Sequence, residues 1–167
     1  VTNVFIHALN GVLLYFVMRK FQGSMFVAVL TTLLFVVHPV QSESVAWVSQ
    51  RKNVLSMFFL LAAFWAHMRS AEDDSPFWML PFAWGLFFVS IFSKQTAVGM
   101  PILFIMYDFM FARKSFLDSI VRNIPYGIFA LAGTISIIFA HDEGGGIKTH
   151  LGDGLIENVQ LNAWIYW

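Results

Sequence analysis

Apolar residues fall along this chain in long blocks separated by short polar ones, and within the blocks no face of a helix is reserved for water. The blocks run from Val4 to Met18, closed by Arg19 and Lys20, and from Met25 to Val37, closed by His38 and Pro39. Three more cover Val54 to Met68, with SESVAWVSQRK as a helix-compatible extension at its start, Phe77 to Phe92 and Ala97 to Ala112. A sixth covers Ile120 to Ala140, where Pro125 predicts a kink near its start, and a seventh begins at Leu155 and runs to Trp167. Helices that are apolar all round are surrounded by lipid or by other helices. About 20 apolar residues span a bilayer, and fewer suffice where flanking residues reach the interface. The pattern therefore predicts an all-α, polytopic transmembrane bundle of about six to seven membrane helices.

Composition agrees. Of 167 residues, 58% are hydrophobic and 12% charged, about half the charged share of a soluble domain, and mean hydropathy is +0.69. Ten Lys and Arg balance ten Asp and Glu, so no basic surface points to a nucleic-acid partner. Cysteine is absent, which excludes disulfides, thiolate metal sites and thiol nucleophiles. The first residues, VTNVFIHALN, carry neither an initiator Met nor a basic leader, and NAWIYW ends within an apolar block. Residues 1–167 are thus expected to be one transmembrane domain out of a larger protein.

If each block crosses once, the polar connections alternate between two sides. Arg19, Lys20, Arg69, Arg113 and Lys114 share one side, with Arg122 just inside the next helix; Arg51, Lys52, Lys94 and Lys148 share the other. The excess of positive charge places the first side in the cytoplasm. It puts HPVQSESVAWVSQRKN, His38 to Asn53, on the outer or luminal face.

That segment is long for a simple turn. A helix capped by Ser42 would set Glu43, Trp47 and Arg51 on one face at i, i+4 and i+8, an acid at its start and a base two turns later. In the first block Asn3, His7 and Asn10 form a polar stripe at i, i+4 and i+7. Alone, such residues act as glue between membrane helices, at about 1–2 kcal/mol apiece; level with the His-Pro loop, they are also candidates to line one pocket with it and contact substrate. Lys94 stands at the outer end of the fourth block, before Gly99 and Pro101. A lysine there ordinarily snorkels, but near Arg51 and Lys52 it completes a cationic patch suited to a phosphate or pyrophosphate on a lipid headgroup. The loop HDEGGGIKTHLGDG supplies His141, Asp142, Glu143, His150 and Asp153, ligand types for a divalent metal at a spacing that fits no defined motif. No Ser-His-Asp order, HExxH, GxGxxG or N-x-S/T sequon occurs.

The segments NVFIHALNGVLLYFVMRK, LLFVVHPVQSESVAWVSQRKNVLSMFFLLAAFWAH and IFSKQTAVGMPILFIMYDF together resemble the membrane region of the TMTC-type proteins of bacteria and eukaryotes. These are polytopic GT-C glycosyltransferases that usually carry tetratricopeptide repeats after the membrane region. The likeness runs from Val1 to about Ala112, is weaker beyond, and returns in LIENVQLNAWIYW. It implies an integral, multi-pass protein of the bacterial inner membrane, or of the endoplasmic reticulum in a eukaryote. It further implies transfer of a sugar, mannose in the eukaryotic relatives, from a polyprenyl-phosphate donor to a hydroxyl of a protein or other acceptor on the outer or luminal face.

The resemblance assigns the principal base to an acidic residue in a first outer loop preceding Val1. On it, Glu43 orients the acceptor, assists as a second acid or helps to bind a metal, and His38 serves as proton relay or ligand. Arg51, Lys52 and Lys94 hold the donor phosphate. Two other readings stand beside the enzyme: a transporter or lipid-linked-sugar flippase, and a non-catalytic membrane anchor for a repeat domain. A pathway across the membrane needs ionisable groups at mid-depth on several helices, whereas the ionisable groups noted here concentrate at one level.

Overall fold

The computed structural model describes residues 2–113 and 115–143. The chain divides into two compact units, Val1–Gly133 and Thr134–Trp167, and the packing described below lies within the first. The seventh block, from Leu155, and most of the HDEGGGIKTHLGDG loop lie outside the described residues.

Every regular element among the described residues is helical. The first, α1 (Thr2–Gln22), ends where Gly23 turns back with a φ of 69° and donates its N–H to the Arg19 carbonyl at 2.9 Å, the left-handed stop for which glycine is suited. Ser24 then caps α2 (Met25–Val37), its hydroxyl accepting from the Val27 N–H. After Pro39 come a short α3 (Gln41–Ala46) and a 3₁₀ turn (Val48–Gln50), followed by α4 (Arg51–Ser70). A hairpin leads into α5 (Met79–Ser93), a second 3₁₀ segment (Gln95–Gly99), α6 (Pro101–Met110) and α7 (Phe116–Glu143).

The sixth block is one α-helix running through Pro125. The fifth is not a single helix. Its first turns are 3₁₀, and the α-helix begins at Pro101, the first-turn position in which a missing N–H costs nothing.

At about 1.5 Å per residue α4 is about 30 Å long, and it is the hub, packed against α1, α5 and α6. Its small residues Ala63 and Ala66 are fully buried and let neighbouring backbones come close. Phe104 of α6 is the centre of the core: Phe64, His67, Phe87 and Tyr126 all place their rings within 5.6 Å of it, centroid to centroid. α1 and α4 run in the same direction, since Asn3 meets Trp47 at one end and Lys20 pairs with Glu72 at the other. Glu72 also pairs with Arg69.

The outer surface of the bundle is apolar. Along α2, Phe26, Leu33, Leu34 and Val37 are exposed and only Ala28 is buried, an arrangement that water would punish and lipid would not. Among the described residues one helix, Thr2–Phe21, is long and apolar enough to cross a membrane by length and composition; Met25–Val37, Met79–Ser93 and Ala97–Met110 are apolar but shorter.

Candidate functional site

The His38–Asn53 segment is built from two local rules. A residue before proline is held extended, and His38 has φ −64° and ψ 129°, so α2 stops at Val37. The chain then folds into a turn in which the His38 and Pro39 carbonyls accept from the Gln41 and Ser42 N–H groups, and α3 starts at once. Ser42 therefore lies within the helix and not at its cap; its hydroxyl donates to the Pro39 carbonyl at 2.6 Å. The single helical face expected for Glu43, Trp47 and Arg51 is not formed either. Trp47 is extended, at φ −87° and ψ 126°, and separates α3 from the 3₁₀ turn and α4. β-Branched Val45 and Val48 flank the break, and such residues favour helix continuation least among apolar ones.

The polar stripe of α1 holds this irregular backbone from beneath. Asn3 donates through Nδ2 to the Trp47 carbonyl at 2.9 Å, where the helix breaks. His7 Nε2 lies 3.3 Å from the Val36 carbonyl, one of the last-turn carbonyls that α2 cannot satisfy itself. Asn10 donates to the Val54 carbonyl of α4 at 2.9 Å. All three side chains are buried. His7 and Asn10 also line a cavity of about 170 Å³ with Phe35, Gln41, Ser44, Asn53, Val54 and Met57. The expected meeting of the stripe with the loop thus takes the form of backbone support plus a shared cavity.

The remaining candidates lie on the rim. Glu43 is exposed, and among the described residues no hydrogen bond or ion pair engages its carboxylate. His38 is exposed and accepts the Val40 N–H on Nδ1 at 3.2 Å. Arg51 and Lys52 open α4 and are exposed, and its first turn holds no acid. Two cations at the positive end of a helix dipole repel, and an anion brought there would relieve them. Lys94 ends α5, and its carbonyl lies 3.4 Å from the Ser56 hydroxyl of α4. Its backbone is therefore at the same end of α4 as Arg51, and among the described residues no direct contact joins it to Arg51, Lys52 or Glu43. No group of three His, Cys, Asp or Glu suited to a metal ion occurs among the described residues.

A second polar cluster, absent from the sequence-based expectations, sits near the opposite end of α4. Asp108 of α6 is fully buried and receives Arg122 Nε at 3.3 Å and Asn123 Nδ2 at 3.0 Å, with His67 Nε2 3.1 Å from its other oxygen. The His67 ring, also fully buried, has Nδ1 3.1 Å from the Tyr126 hydroxyl, and Arg122 reaches on to the Ser70 hydroxyl at 2.8 Å. With Nε2 protonated toward Asp108, Nδ1 accepts from Tyr126. The cluster ties α4, α6 and α7 together, with the Asp108 carboxylate set against the Arg122 guanidinium. The ionisable residues of the bundle accordingly occupy two levels and not one. The signal was available: an acid inside ILFIMYDFM has to be paired, though its partners lie 41 residues upstream and 14 downstream in the sequence.

Among the described residues the chain is thus an all-helical bundle with an apolar exterior and a charged rim over a cavity into which His7, Asn10 and Asn53 face. Comparison with known proteins narrows this. The chain is 32% identical over 101 residues to protein O-mannosyl-transferase TMTC3 of Homo sapiens, and 32% identical over 104 residues to the TMTC3 protein of Mus musculus. Each match covers 60% of this chain and 11% of the relative, so the chain spans about a tenth of the length of the curated relatives it matches. The resemblance to the TMTC-type family is borne out by these alignments. No family model matches the chain, and no solved structure does.

Proposed function

We propose that this chain is the membrane core of a GT-C-type glycosyltransferase that moves a hexose, mannose as in the name of its relatives, from a polyprenyl-phosphate donor to a hydroxyl of a protein or other acceptor. The multi-pass topology and the outer or luminal placement of the His38–Asn53 rim are parts of the same reading. The observation that carries it is the pairing of Arg51 and Lys52 at an acid-free helix N-terminus with a cavity beside it that is free of acids and lined by amide, hydroxyl and apolar side chains with His7.

In the reaction, the acceptor oxygen bonds to the anomeric carbon as the bond from that carbon to the phosphate oxygen breaks. The hydroxyl proton passes to a carboxylate, and the phosphate departs with the bonding pair. Glu43 orients the acceptor hydroxyl from the rim, and the exposed His38 is placed to relay the proton to solvent. Arg51, Lys52 and Lys94 neutralise the leaving phosphate, which needs no acid to protonate it. A divalent ion at this rim would need ligands beyond Glu43 and His38.

The test is transfer from polyprenyl-phosphate mannose by the full-length protein in lipid. Glu43→Gln and Arg51→Ala are expected to lower turnover by about tenfold or more each. Normal turnover in both variants would remove the assignment of these residues. A protein that binds the donor, never transfers, and moves it between leaflets would be a flippase; one that neither binds nor transfers would be an anchor.

A further inference from the structure

The cavity beneath the rim has a one-sided chemistry. His7 Nδ1, Asn10 Oδ1 and Asn53 Oδ1 are buried and meet no partner among the described residues. The opposite atoms of the same side chains are already committed, His7 Nε2 to the Val36 carbonyl, Asn10 Nδ2 to the Val54 carbonyl and Asn53 Nδ2 to the Gln50 side-chain oxygen. In the tautomer whose Nε2–H donates to the Val36 carbonyl, Nδ1 is an acceptor. Three acceptors are therefore left unanswered in a place where native proteins seldom leave any.

What answers them must donate. A phosphate or carboxylate would bring only more acceptors, and a cation would be buried without a counter-ion, because no Asp or Glu lines the cavity. Hydroxyls fit, and a cavity of about 170 Å³ has room for several waters or one small polyol ring. Phe35 and Met57 give an apolar wall against which the C–H face of such a ring can lie. Gln41 and Ser44, at i and i+3 on α3, close it from the rim side.

We infer that this cavity holds the sugar ring of the donor, a single hexose whose hydroxyls donate to His7, Asn10 and Asn53. The charged rim beside it takes only the phosphate. The inference rests on the proposed donor class and divides its binding between two neighbouring places of opposite chemistry.

Binding can be read without transfer. The full-length protein in lipid nanodiscs would be titrated with polyprenyl-phosphate mannose and with bare polyprenyl phosphate. The wild type is expected to prefer the sugar-bearing lipid. Asn53→Leu and Gln41→Leu should shrink that preference by about three- to tenfold, the range of one lost hydrogen bond, with affinity for the bare lipid unchanged. Arg51→Ala should weaken both lipids alike. Ser44→Ala, which deletes one hydroxyl from a partly exposed position, reads the same preference in a variant whose folding is not at risk. Equal wild-type affinity for the two lipids, or a preference that survives Asn53→Leu, Gln41→Leu and Ser44→Ala, would leave the cavity to water and overturn the inference. Loss of the preference in a protein whose transfer ignores Glu43→Gln would keep the sugar site and discard only the catalytic assignment.

Discussion

Asp108 shows what one residue can decide in an apolar bundle. Its carboxylate is fully buried, while Arg122 keeps its side chain 20% exposed and holds a second partner in Ser70. Breaking a buried pair from one side leaves the other charge uncompensated, at a typical cost of about 3–5 kcal/mol. Here the exposed edge of Arg122 softens that. Asp108→Asn is expected to destabilise the protein by about 2–3 kcal/mol, read as reversible unfolding in mixed micelles. Removing both charges in Asp108→Asn with Arg122→Met should cost less than the two single changes added together, because no orphaned charge remains. Additive losses would mean that the two side chains act independently of one another.

Between elements, α1 and α2 approach each other closely at Gly11. A Cβ at Gly11 would come 2.7 Å from Val36 Cγ2, and a β-branched neighbour has little rotamer freedom with which to retreat. Gly11→Ala should therefore cost about 1–3 kcal/mol, and Val36→Ala, at a half-exposed site, should recover most of it; no recovery would place the strain elsewhere. Much of this element layer is legible in the sequence, because block ends are marked by residues with fixed backbone habits. Met25–Val37 ends at the predicted residue since Pro39 fixes His38, and the Arg19–Lys20 end needs only Gly23 to close it. The break at Trp47 is not legible in the same way. Nothing local forbids a helix from Ser42 to Lys52, and the extended residue is held by Asn3, 44 positions earlier. The cavity and the Asp108 cluster are hidden for that same reason: their members are brought together only by the meeting of α1, α2 and α3 with α4 in the one case and of α4, α6 and α7 in the other.

For the whole molecule, the proposed topology places Ser49 and Asp73, both exposed, on opposite sides of the membrane. The chain contains no cysteine, so Ser49→Cys and Asp73→Cys can each be made without clearing a background. A membrane-impermeant maleimide added to sealed vesicles should label one and spare the other until detergent is added. Labelling of both from the same side would reject the alternating arrangement.

The length of α4 also has a consequence for where such a protein can work. From Arg51 to Arg69 there are 18 steps along one α-helix, or about 27 Å, with a charge fixed at each limit. Were α4 to cross the bilayer, as the proposed topology has it, that length would match the thinner endoplasmic-reticulum type of bilayer, at about 27 Å of hydrocarbon, better than a sterol-rich plasma membrane at about 32–33 Å. Hydrophobic mismatch in thick lipid would draw both arginines inward or thin the bilayer around them. On that topology thermal stability in vesicles of graded acyl-chain length should peak near that thickness and fall on the longer side, and a flat profile would mean that the two arginines do not mark the limits of a span.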